Sequence, residues 1–194
     1  LNGAFAQLLE AVGFTVHRLA AAVLLGGPNQ LVDHLVLEVV LDQPYLVEVG
    51  FGDNAPIVPL PLQAVGPIET RCGTFEFLNS PQGTTLAQLV DGVPEARYRF
   101  KRVNHQPRDF EPVSMRLQSD PALHWSTSPF ATRLLDDQGT RIILTRDRLK
   151  TCRGNDISEQ SVDPDDWNDV LFEHFGIVES VPPEALERRP HYGV

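Results

Sequence analysis

Residues 34–53 read HLVLEVVLDQPYLVEVGFGD. Two apolar runs, His34 to Leu41 and Tyr45 to Val49, flank the polar segment 42–44 (DQP). Short runs rich in Val and Leu on either side of a Pro-containing break are typical of two strands joined by a tight loop. The stretch therefore predicts an antiparallel hairpin, and an antiparallel sheet as the basis of the fold.

The hairpin places a histidine, His34, in its first strand and a glutamate, Glu48, in its second. An imidazole oriented by a carboxylate is the base half of a nucleophilic triad, and positions of equal parity share one face of a hairpin. A two-residue turn at 42–43, however, pairs residues whose numbers sum to about 85 or 86, which sets His34 opposite residue 51 or 52. By spacing alone, a solvated glutamate and an unrelated histidine are the favoured interpretation.

The flanking sequence predicts one helix at each end of a run of strands. Residues 1–13 carry apolar side chains at helical spacing, with Asn2 as a candidate cap. Asp163 and Pro164 predict the start of a second helix, and Gly176 predicts its end. Further strands are predicted over 14–25, 74–78, 98–103 and 140–145. The fold class is therefore α+β, with a mainly antiparallel sheet or barrel.

Composition excludes several classes of function. The 194 residues include 16 Lys and Arg against 26 Asp and Glu, a formal charge of −10, which argues against non-specific nucleic-acid binding. The apolar run 19–25 is far too short to cross a membrane. Cys72 and Cys152 form no CxxC motif, so neither a metal site nor a disulfide scaffold is expected. A reducing cytoplasmic location is the default.

The residue pattern offers no clear nucleophile. Cys72 follows an arginine on a predicted strand, and Cys152 lies in the basic run 146–153, for which a solvated loop is expected. Neither thiol follows a helix start that would activate it, and there is no GxSxG motif. The segment 50–54 (GFGDN) lets backbone approach a ligand closely, but it lacks the third glycine of a dinucleotide-binding loop.

Several strings across the chain together resemble one known family. They are LNGAFAQLLEAVGFTVHRLAAAVL at 1–24, HLVLEVVLDQPYLVEVGFGDNAPIVPLPL at 34–62, LQSDPALHW at 117–125 and EHFGI at 173–177. On these strings the chain resembles the arylamine N-acetyltransferases, and it is similar to the ansamycin amide synthases, which share their fold. The resemblance implies a cysteine-protease-like superfamily fold with an N-terminal helical bundle, an antiparallel β-barrel and a C-terminal α/β lid. Residues 1–13 then correspond to a remnant of the mostly absent helical domain, 14–120 to the barrel and 121–194 to the lid.

The resemblance also implies a catalytic site. His34 matches the catalytic histidine of the family, and Glu48 takes the place of its aspartate. Gly50, Phe51 and Gly52 match the loop that lines the cleft for the substrate and acetyl-CoA. The cysteine motif is Arg-Gly-Gly-x-Cys, an aromatic, Glu, a hydrophobic residue and Asn, of which residues 1–2 match only the tail. The nucleophilic cysteine thus maps three positions before Leu1 and is absent from this sequence.

The activity implied by the resemblance is acetyl transfer by a Cys-His-acid ping-pong mechanism. The donor is acetyl-CoA, a co-substrate, and the acceptors are arylamines, arylhydroxylamines or hydrazines, as in xenobiotic metabolism. No permanently bound cofactor or metal, and no nucleic-acid or membrane partner, is expected. Removing the nucleophile of a triad lowers turnover on the order of a million-fold, so we expect residues 1–194 alone to be inactive.

Two alternatives remain open from the sequence. The chain could be a non-catalytic protein that binds acyl-CoA or aromatic ligands in the same cleft. It could also be an amide synthase-like relative that acts on a carrier-bound acyl chain. Neither the preferred amine nor the oligomeric state follows from the sequence.

Overall fold

The computed structural model describes residues 1–25, 27, 31–52, 55–121, 123, 129–153, 156–182 and 186. The chain divides into two compact units, Leu1–Arg116 and Leu117–Val194. Each unit has its own antiparallel sheet and its own apolar core. The predicted α+β class is therefore confirmed, whereas the division into segments 1–13, 14–120 and 121–194 stays a prediction.

The first unit is built on an eight-stranded antiparallel sheet that curls into a nearly closed barrel. Its strand order is β4-β3-β2-β1-β8-β7-β6-β5. The strands are β1 (Thr15–Val23), β2 (His34–Val40), β3 (Pro44–Val47), β4 (Leu60–Pro61), β5 (Ile68–Thr70), β6 (Gly73–Ser80), β7 (Gly83–Val90) and β8 (Val93–His105). Strands that follow each other in sequence are neighbours, except that β4 and β5 form the two edges of the order, and the pairing of β1 with β8 joins the two halves of the sheet.

Apolar residues lie on both faces of the sheet in the first unit. The inner face holds the main core of the unit, whose buried members are Leu19, Ala21, Val36, Leu46, Leu60, Phe75, Leu86, Tyr98 and Phe100. The opposite face of β1 and β2 packs against helix α1 (Asn2–Ala11) through Ala6, Val16 and Leu37. Because successive strand residues point to opposite sides, the odd-numbered residues of β2 face α1, and its even-numbered residues face the other side, where Val36 joins the barrel core.

The β2–β3 hairpin has a loop one residue longer than predicted. Leu37 pairs with Val47, so the numbers of paired residues sum to 84. The loop is residues 41–43, and the N–H of Leu41 donates to the carbonyl of Gln43 at 3.0 Å. The predicted register is therefore wrong. In the observed one, a continued pairing would set His34 opposite Gly50.

The second unit contains a four-stranded antiparallel sheet in the order β12-β11-β10-β9. Its strands are β9 (Ala131–Leu134), β10 (Arg141–Leu144), β11 (Arg148–Arg153) and β12 (Asp156–Ser161). Helix α3 (Trp167–Phe175) packs Trp167 and Leu171 into the core of this unit. In the sequence between β8 and β9, the chain forms a 3₁₀ turn (Pro107–Phe110) and helix α2 (Glu111–Ser119).

The ends of α3 agree only in part with the sequence prediction. The helix ends at Gly176 as predicted, and this glycine adopts the left-handed φ of +69° that suits a C-terminal cap. Its start is three residues later than predicted, because Asp166 occupies the N-cap and residues 163–166 form a turn. Among the described residues, no helix is long and apolar enough to cross a membrane.

Candidate active site

His34 and Glu48 form a hydrogen-bonded pair at one end of the β2–β3 hairpin. The imidazole Nε2 lies 2.8 Å from Oε2 of the carboxylate. The Glu48 side chain is completely buried and that of His34 is 13% exposed. The interpretation of Glu48 as a solvated residue is therefore wrong, and the contact that the resemblance implied is present.

The observed register explains how the two side chains meet. Glu48 follows the last residue of β3 and, in a continued register, faces Val36, while His34 faces Gly50. The pair is thus a diagonal neighbour pair on the inner face of the sheet. Diagonal neighbours lie roughly 7–8 Å apart, which long side chains can bridge. The loop residue that the sequence prediction missed is what brings Glu48 within reach of His34.

Tyr98 binds the second oxygen of the Glu48 carboxylate. Its hydroxyl donates to Oε1 at 3.4 Å from strand β8, and its side chain is fully buried. Burial, and then the negative charge of Glu48, raise the pKa of Tyr98 well above its ordinary value. The phenol therefore remains a donor at neutral pH. The sequence pattern marks Tyr98 only as one of several alternating strand residues, so this member of the site was missed.

Aromatic rings surround the imidazole. The ring centroid of His34 lies 5.1 Å from that of Phe51 and 5.4 Å from that of Tyr98. Phe51 and Tyr98 also contact each other edge to face, with centroids 5.0 Å apart. Such tilted contacts are the favoured geometries for rings. They fix the plane of the imidazole and keep water from the carboxylate.

The glycines on either side of Phe51 serve different needs. Gly52 has a φ of +88°, which few other residues adopt readily, so the chain turns there. Gly50 has an ordinary φ, but a Cβ at this position would lie 3.1 Å from Nδ2 of Asn2. Of the predicted cleft loop, Phe51 contacts the His34 ring, and the assignment of Gly50, Phe51 and Gly52 to a substrate cleft stays a prediction. Residues 53–54 of the glycine-rich segment lie outside the described residues.

The bond to Glu48 selects one tautomer of His34. Because Nε2 faces a carboxylate oxygen, the ring proton belongs on Nε2. Among the residues that the structure describes, no hydrogen bond to Nδ1 of His34 is found. In the tautomer with its proton on Nε2, Nδ1 carries the lone pair and is the ring nitrogen that can accept a proton.

The two cysteines lie in different units. Cys72 Sγ lies 3.2 Å from Oγ1 of Thr70 and accepts the N–H of Ile57 at 3.4 Å, and the side chain packs against the barrel core. Cys152 lies on β11 and pairs with Ile157 of β12. The hydrogen bonds described for Cys72 do not include His34. Within the described ranges, no group of three His, Cys, Asp or Glu side chains could hold a metal ion.

The basic run 146–153 is not the solvated loop that was predicted. Residues 148–153 form β11, and two of its cations bind one acid on β12. Arg148 Nη1 and Lys150 Nζ lie 2.6 and 2.7 Å from the carboxylate of Glu159. Both cations are thus paired within the sheet.

A family model described as N-acetyltransferase matches residues 1–181. The chain belongs to the arylamine N-acetyltransferase family. The arylamine N-acetyltransferase of Mycolicibacterium smegmatis is 31% identical over 144 residues, which cover 70% of this chain and 52% of that protein. The chain thus spans about half the length of this curated relative.

Solved structures of the family show the same fold. The arylamine N-acetyltransferase of Mycobacterium marinum in complex with CoA matches with a TM-score of 0.84 at 27% identity, over 96% of this chain and 72% of that one. A Bacillus cereus family member, described as having a unique Cys-His-Glu catalytic triad, matches with a TM-score of 0.79 at 19% identity, over 92% of this chain and 72% of that one. At that identity the second likeness shows the fold alone.

Proposed function

We propose that this chain supplies the base and the acid of an arylamine N-acetyltransferase that works through a Cys-His-Glu triad. The observation that carries the proposal is the buried 2.8 Å contact between His34 Nε2 and Glu48 Oε2. A carboxylate in this position holds the imidazole in one tautomer and stabilises the imidazolium that forms during the reaction. His34 is then the general base and acid, and Glu48 orients it.

Glutamate in place of aspartate is compatible with this fold. The Bacillus cereus protein is described as using a Cys-His-Glu triad on the same architecture. In the present chain the longer side chain spans the diagonal from Glu48 to His34 and still leaves its second oxygen to Tyr98. Two donors therefore hold the carboxylate, which supports a fixed geometry for the pair.

The proposed reaction has two half-reactions. Nδ1 of His34 accepts the thiol proton of the nucleophilic cysteine, and the thiolate attacks the acetyl carbonyl of acetyl-CoA. The bond from the carbonyl to the CoA sulfur breaks, and CoA leaves with the proton from the imidazolium. The arylamine, arylhydroxylamine or hydrazine then attacks the acetyl-cysteine and loses a proton to Nδ1. That proton returns to the cysteine sulfur as the acetylated product leaves.

The donor and the nucleophile come to the proposal from the family. A relative has been solved in complex with CoA, which supports acetyl-CoA as the co-substrate. By the family motif, the cysteine maps three positions before Leu1, outside residues 1–194. Gly50, Phe51 and Gly52 are proposed to line the cleft beside it.

The test compares two polypeptides in an assay with acetyl-CoA and an arylamine. Residues 1–194 alone are expected to turn over at least about a million-fold more slowly than a protein in which the N-terminal segment of the M. smegmatis relative, with its motif cysteine, precedes Leu1. In the extended protein His34→Gln should abolish turnover, whereas Cys72→Ser should leave it unchanged.

Two outcomes contradict the proposal. Robust turnover by residues 1–194 alone would show that the motif cysteine is not needed. An extended protein that folds and binds CoA but transfers no acetyl group would favour the non-catalytic ligand-binding alternative.

A further inference from the structure

The ladder between β2 and β3 ends just before it reaches the His34–Glu48 pair. In antiparallel sheets, directly hydrogen-bonded pairs alternate with pairs that are not bonded. The loop bond from Leu41 N–H to the Gln43 carbonyl identifies the bonded pairs of this hairpin as those with odd numbers. The last pair of the ladder is Leu37 with Val47. The next bonded pair in this register would be Leu35 with Val49.

The side-chain amide of Asn2 takes the place of that missing pair. Its Oδ1 accepts the N–H of Val49 at 2.8 Å, and its Nδ2 donates to the carbonyl of Leu35 at 2.6 Å. In a continued ladder the N–H of Val49 would bond the carbonyl of Leu35 directly, and here the Asn2 carboxamide bridges these two groups instead. Asn2 is only 5% exposed, although it is the first residue of α1. The sequence predicted Asn2 as the helix cap, and this prediction is wrong. The N-cap is Leu1, and no side-chain cap bond is present.

The two residues that Asn2 joins are the direct neighbours of the site. Leu35 follows His34 and Val49 follows Glu48 in the chain. The amide therefore sets how far apart the two backbones lie at the point from which the imidazole and the carboxylate project. We propose that Asn2 is a positioning residue, which holds β2 and the segment after β3 at the separation that the His34–Glu48 hydrogen bond requires. Its relevance to catalysis rests on the function proposed above.

Gly50 supports the same inference from an independent contact. Its φ lies in the ordinary range, so its backbone conformation does not demand glycine. A Cβ there would nevertheless lie 3.1 Å from Nδ2 and 3.5 Å from Cγ of Asn2. The absence of a side chain at Gly50 therefore leaves room for the Asn2 amide. Gly50→Ala is accordingly a way to displace the amide without removing it.

The test observes the Nε2–H proton of His34 by ¹H–¹⁵N NMR on residues 1–194. In the unsubstituted chain this proton should be protected from exchange with water, and the signal is assigned by its loss in His34→Gln. In Asn2→Ala we expect exchange faster by about tenfold or more, as for the loss of two hydrogen bonds. Asn2→Asp, which keeps the acceptor for Val49 but loses the donor to Leu35, should give a smaller acceleration. Gly50→Ala should accelerate exchange as well.

Asn168 provides a matched control. Its amide makes the same two bonds with the backbone of a single residue, Val181, at 3.0 and 2.9 Å, but in the second unit. Asn168→Ala removes an equal number of hydrogen bonds and should leave the His34 signal unchanged. A loss of stability common to the whole chain would accelerate exchange in both variants.

The proposal is overturned if the His34 proton exchanges equally fast in the unsubstituted chain, Asn2→Asp and Gly50→Ala, or if Asn168→Ala accelerates exchange as much as the Asn2 variants do. Should Asn2→Ala fail to fold, Asn2→Asp and Gly50→Ala decide the outcome. The measurement does not depend on turnover. Failure of the proposed function would appear instead as an inactive extended protein in which the His34 signal is protected.

Discussion

The hydroxyl of Tyr98 is a single group whose removal tests how firmly Glu48 is held. Tyr98→Phe keeps the ring against His34 and Phe51 but leaves Oε1 of a fully buried carboxylate without its donor. We expect the free energy of unfolding to fall by about 1 kcal/mol, since the bond is long but its acceptor is charged and buried. Urea unfolding at neutral pH measures this loss.

Tyr45 offers the matched control for that variant. Its hydroxyl also donates to a carboxylate, Asp42 Oδ1 at 3.3 Å, but this bond is exposed to solvent. Tyr45→Phe should therefore change stability by less than about 0.5 kcal/mol. Equal losses for the two variants would mean that Tyr98 contributes nothing specific to the Glu48 site.

The same hydroxyl predicts a loss of stability at alkaline pH. Burial, and then Glu48, raise the pKa of Tyr98 above its ordinary value, so the folded state keeps a proton that the unfolded state releases above about pH 10. The stabilisation is complete below that pH and is lost as pH rises further. Tyr98→Phe should thus be less sensitive to pH between about 9 and 11 than the unsubstituted chain. Identical alkaline slopes in urea unfolding would contradict the burial of a neutral Tyr98.

At the scale of elements, the β2–β3 hairpin shows what the sequence could and could not predict. Alternation and turn residues predicted both strands, and both are present within two residues of the expected ends. The register depends on the number of loop residues, and the sequence does not distinguish a two-residue from a three-residue connection here. That one residue decided whether Glu48 was placed near His34. The family resemblance supplied the pairing that spacing alone argued against.

Other elements escaped prediction because their sequences carry no apolar alternation. The short strands β4 and β5 have two and three residues, too few to show a period. Strand β12 is exposed along its whole length, and all of its residues except Ile157 are polar. Asn2 was predicted to cap a helix, and its contacts with Leu35 and Val49 were missed because they join positions far apart in sequence. Local patterns do not reveal contacts of that kind.

Two turn glycines are predicted to differ strongly in how much stability is lost on substitution by alanine: Gly83 at the β6–β7 turn and Gly92 at the β7–β8 turn. Gly83 has a φ of +134°, and a Cβ there would lie 2.5 Å from the backbone carbonyl oxygen of Phe100 on β8. Gly92 also has a positive φ, +79°, but a Cβ would meet nothing within 4 Å. Gly92→Ala should cost about 1 kcal/mol from backbone strain alone. Gly83→Ala should cost about 1–3 kcal/mol more because the neighbouring strand has to move.

Thermal or urea unfolding of the two variants measures this difference. The Gly83 variant should also perturb the backbone amide signals of residues 98–100, which include Tyr98. Equal stabilities would show that β8 yields to a methyl group without cost, and the close approach of β7 to β8 at this point would then not constrain the site.

At the scale of the whole molecule, β2 contributes one residue to each of two His–Glu pairs, His34 and Glu38, which lie on either side of Val36. Beside the His34–Glu48 pair, Glu38 binds His17 Nδ1 at 3.1 Å and Arg102 Nε at 2.6 Å. Arg102 is a permanent cation, so the charge of Glu38 is balanced at any pH near neutral. Among the described residues, the side-chain partners of Glu48 are His34 and Tyr98. Glu38 is thus paired with a permanent cation, whereas the described partners of Glu48 are an imidazole and a phenol.

Glu38 then predicts how the stability of the first unit responds to acid. Burial raises the pKa of its carboxyl, but the hydrogen bonds and charges of Arg102 and His17 outweigh this effect, and its pKa lies below the ordinary 4.5. A carboxyl with a lowered folded pKa contributes stability above the unfolded pKa and loses it as pH falls through the folded one. Glu38→Gln should therefore be less stable than the unsubstituted chain at pH 7, with a difference that shrinks towards about pH 3. Urea unfolding across this range measures it.

Glu159→Gln is the control that separates the effect of burial at Glu38 from that of an ordinary surface ion pair. Its pKa is also lowered, by Lys150 and Arg148, but its side chain is 31% exposed against 6% for Glu38. Solvent screens such a pair, so its contribution to stability is small. Glu159→Gln should accordingly change the acid dependence less than Glu38→Gln does. If the two variants respond equally to acid, burial on the inner face of the barrel does not strengthen the ion pair of Glu38, and it would not be expected to strengthen the contact of Glu48 with His34 either.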